Sequence, residues 1–233
     1  MPQFLQVKNK TINSADLYIY GDIIDNTSWK WDDSDVMPDD VKNILDQLDD
    51  THNLNIYINS GGGSVFAGIG IYNMLKRHQA QKTVYVDGVA ASIASVIALA
   101  GDKVIVPSNA FLMIHKPWSF GIGNANDFRK MADDLDRIET GIMNIYKENL
   151  KEGVDLEQIQ QMVDAETWLN GEQAAEYFNI EIGESVSAVA CASEYFAKYR
   201  KTPHELMARN TKPPVKEKQN ILMLQNELDL LDL

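Results

Sequence analysis

The sequence predicts an α/β fold with parallel strands. Short segments rich in Ile, Val and Tyr alternate with segments of helical spacing. The run LNIYIN enters a glycine turn and then a helix. The stretch VDGVAASIASVIALAG joins another strand to another helix. Strands alternating with helices are what parallel sheets produce, because parallel neighbours need a crossover to return the chain.

Leu17–Ile24 (LYIYGDII) is expected as the first strand. After an acidic, Trp-containing loop, Pro38 suits a first helical position and Val41–Leu48 carries helical spacing. Leu54–Asn59 is the second strand. It runs into Ser60-Gly61-Gly62-Gly63-Ser64 and then a helix from Val65 to Arg77. Thr83–Val86 is the third strand, followed by a turn and the apolar helix SIASVIALAG; Lys103–Val106 and Phe111–His115 are short β segments. In Asn126–Leu150, Phe128, Met131, Leu135, Ile138, Ile142 and Ile145 recur at steps of three and four. A helix of that length spans about 37 Å. Its seam buries against another helix, of its own domain or of a partner. Leu156–Val163 and Gly171–Phe178 are shorter helices. The main domain is expected over 1–200. A proline-containing linker covers 201–218, and an amphipathic helix over 219–233 has Ile221, Leu224, Leu228 and Leu231 on one face.

The chain has 233 residues, which suggests one or two domains, and acids outnumber bases 34 to 21 for a net charge of −13. Nonspecific nucleic-acid binding is disfavoured, because phosphate contacts need clustered Lys and Arg. The apolar run Val89–Ala100 is too short to span a bilayer, and the N-terminus lacks the apolar core of a signal peptide. The single cysteine, Cys191, excludes an intramolecular disulfide, and no Cys-His cluster suggests zinc. The expectation is a cytoplasmic protein without membrane, metal or cofactor.

Three features could carry chemistry. The tri-glycine turn fits either an anion-binding nest or a tight strand-to-helix turn; it matches neither a Walker A loop nor GxGxxG. Ser92, in Gly88-Val89-Ala90-Ala91-Ser92-Ile93-Ala94, sits at a strand–turn–helix junction. It reads as a nucleophile or as a helix N-cap, with Ser95 as a competitor. His115 ends the apolar strand FLMI and reads as a general base or as a satisfied edge histidine. His52, His78 and His204 read as solvated surface residues.

Together, INSGGGSVFAGIGIYNML, VDGVAASIASVIALAGD, MIHKP and AETWLNGEQAAEYF resemble the Clp-type serine peptidases, most closely the Clp-related head-maturation (prohead) proteases of tailed phages. The resemblance covers about residues 15–186. It implies the Clp peptidase/crotonase-like fold of stacked ββα spiral repeats, with Asn126–Leu150 as the protruding handle helix. It implies Ser92 as nucleophile, His115 as base and acid, and Gly63 and Ile93 as the backbone donors of the oxyanion hole. The family's aspartate is matched by Glu166, with Asp164 as the alternative two residues earlier. The chain also departs at Gly61, where the family usually has proline, and at Ala165, where housekeeping members carry an arginine that helps join two rings. The function implied is a serine endopeptidase acting on capsid or scaffold proteins as a ring-forming homo-oligomer. The alternatives are a Clp peptidase subunit served by a separate unfolding ATPase, a crotonase-like acyl-CoA enzyme, and a ring scaffold with a relic site. A Ser–Lys mechanism would leave His115 unused.

Overall fold

The computed structural model describes residues 5–30, 32–48, 50–185, 191, 193–204 and 206. The greater part of the expected linker and the whole of the helix expected over 219–233 lie outside the described residues. In chain order the elements begin with β1 (Leu5–Lys8), β2 (Ser14–Tyr20), α1 (Pro38–Asp46), β3 (Asn53–Ser60), α2 (Val65–Arg77), β4 (Gln81–Ala91) and α3 (Ile93–Ala98). They continue with β5 (Lys103–Pro107), β6 (Phe111–Ile114), α4 (Ala125–Glu148), α5 (Leu156–Asp164), β7 (Thr167–Asn170), α6 (Gly171–Tyr177) and β8 (Glu181–Gly183), and a 3-10 turn over Glu194–Lys198.

β2, β3 and β4 pair in parallel, as the alternation of strands and helices requires. β4 then divides its second edge. Thr83–Tyr85 pair with β5 and Val89–Ala91 with β6, both in parallel. That second pairing is why the strand expected over Thr83–Val86 extends to Ala91. β8 adds in parallel to β5, while β1 and β7 pair antiparallel with β2 and β6. β1, β7, β8 and the 3-10 turn were not expected from the sequence. Each is three to five residues long, too short for its alternation to be read.

The strand expected over Leu17–Ile24 runs instead from Ser14 to Tyr20 and stops at Gly21, whose φ of 137° breaks the ladder. Ile23 then makes isolated bridges to Val36 and Gly63. The helix expected from Ser92 is shorter, Ile93–Ala98, and begins one residue later.

Residues alternate across the sheet. Leu17, Ile19, Ile56, Ile58, Val84, Val86, Ala90, Leu112 and Ile114 face the main core, with Ile71 and Leu75 of α2 and Val96 and Ile97 of α3. Val89, Ala91 and Met113 point to the opposite face, where they form a second buried cluster with Cys191, Phe196 and Tyr199. The chain after residue 190 thus returns to the sheet beside the ends of β4 and β6.

The long helix is capped by Asn124, whose side chain accepts from the Asn126 N–H at 2.8 Å while Asp127 accepts from the Asn124 N–H. Its seam divides in two. Ile142, Met143 and Tyr146 pack on the main core, whereas Phe128 near the other end is 48% exposed, and Phe120 and Ile122 in the segment before the helix are exposed too. One half of the seam therefore packs on its own domain, and the other is exposed. No helix among the described residues is long and apolar enough to cross a membrane.

Candidate active site

Ser92 links β4 to α3 with φ 55° and ψ −126°. A side-chain-bearing residue is strained there, by about 1–3 kcal/mol, so its neighbours must hold it. The Ser92 N–H donates to Met113 O at 2.9 Å, and the Ser92 carbonyl accepts from the Ser95 N–H at 2.9 Å and from Ser95 Oγ at 2.6 Å. The Ser92 side chain makes no capping bond to α3. It turns away instead, and Oγ lies 2.7 Å from His115 Nε2.

Strand register explains that contact. Ala91 is opposite Met113 in the β4–β6 ladder, so the residues that follow the two strands emerge side by side. His115 is half-buried, and desolvation pushes its imidazole down to about 4, with the nearby Glu166 charge pulling in the other direction. The ring is therefore neutral near pH 7. Its Nε2 can accept the Ser92 proton when the other nitrogen carries the ring hydrogen. Tyr199 meets the imidazole edge-on, with ring centroids 5.0 Å apart.

The tri-glycine turn lies against Ser92. Ile23 N–H donates to Gly62 O at 2.7 Å and Ser64 N–H donates to Ile23 O at 2.8 Å. This parallel bridge leaves the Gly63 N–H directed away from Ile23. A Cβ on Gly63 would sit 1.9 Å from Ile23 O, and one on Gly62 would sit 2.8 Å from Ser92 Cβ; both residues have positive φ. Only glycine permits this approach. Ile93 opens α3, where an N–H has no carbonyl one turn earlier to bond. Gly63 and Ile93 thus belong to the two backbone segments that flank Ser92.

Glu166 follows α5 with φ 52° and is 8% exposed. Its carboxylate accepts from the N–H of Arg200 at 2.9 Å and from the N–H of Lys201 at 2.6 Å. Among the described residues no hydrogen bond joins it to the imidazole; its influence on His115 is that of a nearby charge. Asp164 faces elsewhere. It pairs with Lys116 at 3.0 Å and accepts from Gln160 at 3.1 Å; the Lys116 hydrogen bond holds its carboxyl below the usual range.

Of the remaining candidates, Ser95 is fully buried and serves the Ser92 carbonyl, with its hydroxyl 2.8 Å from Tyr146 Oη. His52 and His204 are exposed. His78 is half-buried, and its Nδ1 accepts from the Ala80 N–H at 3.2 Å. Cys191 is buried, which pushes its thiol up to about 12. A narrow cleft lined by Val65, Ile93, Val96, Ile142 and Tyr146 opens on Ser92 and His115. Sequence reasoning missed Tyr199 and the Arg200 and Lys201 amides, because backbone donors leave no trace in residue identity. Tyr146 was missed because the helical seam was counted only through its aliphatic positions and phenylalanine.

A glycine turn, a strained serine and a histidine at paired strand ends are accompanied by a match to the Clp protease family model over residues 34–182. The chain belongs to the Clp protease family. Its relatives include the ATP-dependent Clp protease proteolytic subunit of Bacteroides fragilis, 31% identical over 59% of this chain and 66% of that protein. The subunit of the same name from Porphyromonas gingivalis is 33% identical over 59% and 62%. Proteolytic subunit 1 of Salinibacter ruber is 32% identical over 53% of each. The matched part of the chain thus spans less than two thirds of these Clp subunits.

Proposed function

We propose that this member of the Clp protease family is a serine endopeptidase. The observation that carries the reading is the 2.7 Å contact between Ser92 Oγ and His115 Nε2 at the paired ends of β4 and β6. Ser92 Oγ attacks the substrate carbonyl carbon as Nε2 takes its proton. The oxyanion of the tetrahedral intermediate is received by the N–H groups of Gly63 and Ile93. One such donor is typically worth about 3–4 kcal/mol. The proton then passes from Nε2 to the leaving amine, the C–N bond breaks, and Ser92 is left acylated. Water releases the acyl group by the same steps in reverse order of roles. Glu166 is the third member of the triad, and its charge favours the imidazolium form that each transfer creates.

The chain works as a ring-like homo-oligomer on extended protein or peptide segments. The exposed half of α4, with Phe128, Phe120 and Ile122, supports a contact between copies. Capsid or scaffold processing in phage head maturation is the substrate reading favoured by the four sequence motifs and by Ala165, where housekeeping members carry an arginine. A subunit fed by a separate ATPase is the second reading, favoured by the names of the relatives.

Labelling with a serine-reactive fluorophosphonate tests the chemistry. Wild type is expected to label, and Ser92→Ala and His115→Ala are not. Labelling that survives in Ser92→Ala would move the nucleophile elsewhere. No labelling in wild type would favour the scaffold or acyl-CoA readings.

A further inference from the structure

The segment after residue 190 has no counterpart in the motifs that define the site, yet it reaches Glu166, His115 and the glycine turn. Arg200 and Lys201 give their N–H groups to the two oxygens of Glu166. Tyr199 lays its ring edge-on to His115 and donates its hydroxyl to Gly61 O at 2.5 Å. Ser193 Oγ occupies the place where a side chain on residue 61 would begin: a Cβ there would lie 2.0 Å from it. The segment is anchored by Phe196, which is fully buried, and by Thr202 Oγ1, which donates to Phe196 O at 2.7 Å.

We propose that residues 193–202 form a fourth wall of the catalytic site, in which Tyr199 and the Arg200 and Lys201 amides are positioning groups for His115 and Glu166. The inference rests on the peptidase reading. Two departures in the sequence fit it. Glycine replaces proline at residue 61, where a ring would collide with Ser193. Glutamate replaces aspartate at 166, and its carboxylate is gripped by the returning chain. A carboxylate gripped by two backbone N–H donors is fixed in place, and its other lone pairs remain open to a partner. Glu166 is the charge that acts on His115. Lys116, next in sequence, is engaged by Asp164 and Glu139.

The test uses the full chain. Wild type, Lys201→Pro and Tyr199→Phe are compared on a fluorogenic peptide, with active sites counted by titration and folding followed by calorimetry. Lys201→Pro deletes one donor to Glu166 while leaving its carboxylate; Tyr199→Phe deletes only the hydroxyl. For Lys201→Pro we expect kcat to fall about tenfold or more with KM within about twofold, the pattern of a group that acts in the transition state. The acid limb of kcat/KM should also move to lower pH, because a loosened Glu166 supports the imidazolium less. Tyr199→Phe should show a smaller fall of the same kind. Mere loosening of the fold would lower the titrated site count and leave that limb in place. Unchanged kcat and pH limb in both folded variants would overturn the proposal. So would a rise in kcat, which would make the segment a restraint on the site. If wild type itself hydrolyses nothing and does not label, the peptidase reading fails, and the positioning role fails with it.

Discussion

Tyr146 of α4 lies 2.8 Å, hydroxyl to hydroxyl, from Ser95 of α3, and that serine gives its own hydrogen to the Ser92 carbonyl. Since Ser95 has one hydrogen to donate, Tyr146 must be the donor in the first contact. The long helix therefore supports the Ser92 backbone through one side chain. Tyr146→Phe removes this donor in a fully packed setting. The expected loss is about 1 kcal/mol, or about 2–4 °C in Tm, read by calorimetry. Ser95→Ala should cost more, because it also frees the strained Ser92 carbonyl.

Ser92→Ala and Ser92→Gly should both abolish hydrolysis, yet differ in stability. Alanine keeps the Cβ that makes φ 55° costly and glycine does not. The glycine variant should be the more stable of the two by about 1 kcal/mol, measured by denaturant unfolding. Equal stability would mean that the turn carries no strain.

The acid limb of activity follows from the burial of His115. A base with a pKa of about 4 in the fold stays competent well below the usual histidine range, so kcat/KM should hold down to near pH 4. Stability moves in the same direction. The folded pKa is lowered, so the unfolded chain binds the proton first. The neutral-ring advantage is present above about 6.5 and is lost as pH falls toward 4, by up to about 3 kcal/mol. Urea midpoints between pH 7 and pH 4 check the sign.

Glu166→Gln removes the charge that raises the imidazole. We expect kcat to drop by about 10²–10⁴ and the acid limb to move to lower pH. Asp164→Asn should leave kcat nearly unchanged, because that carboxylate is spent on Lys116 and Gln160. The reverse pattern would exchange their roles.

Light scattering at micromolar concentration should give a multiple of 26 kDa. Phe128→Glu on the exposed half of α4 should reduce that mass if copies meet there.

Removing residues 207–233 should leave peptide hydrolysis within a few fold, since among the described residues Glu166, His115 and Gly61 are held by Tyr199, Arg200 and Lys201.

The strands and helices around Ser92 and His115 were legible because each carries a strong local signal. LNIYIN before three glycines announces a strand-to-helix turn, and FLMI before His115 announces a strand end. The contact between the two residues depends on the Ala91–Met113 register, which pairing alone sets. Glu166 could be singled out only by resemblance, since φ 52° and two backbone donors from residues 200 and 201 are tertiary facts. The 3-10 turn at Glu194–Lys198 gave no periodic signal. Its sequence, EYFAK, is shaped by the buried seat of Phe196.

The Ser92 amide, bonded to Met113 O, continues the ladder between β4 and β6. Its hydrogen cannot exchange with solvent until those strands part, and they share the main core with β3 and α3. Exchange at this amide should therefore be as slow as the slowest in the protein, with an opening free energy equal to that of global unfolding. The Ser92–His115 contact would then survive heating for as long as the sheet does. Thermal inactivation would follow a single cooperative loss, with no warm, folded state in which the pair has already come apart.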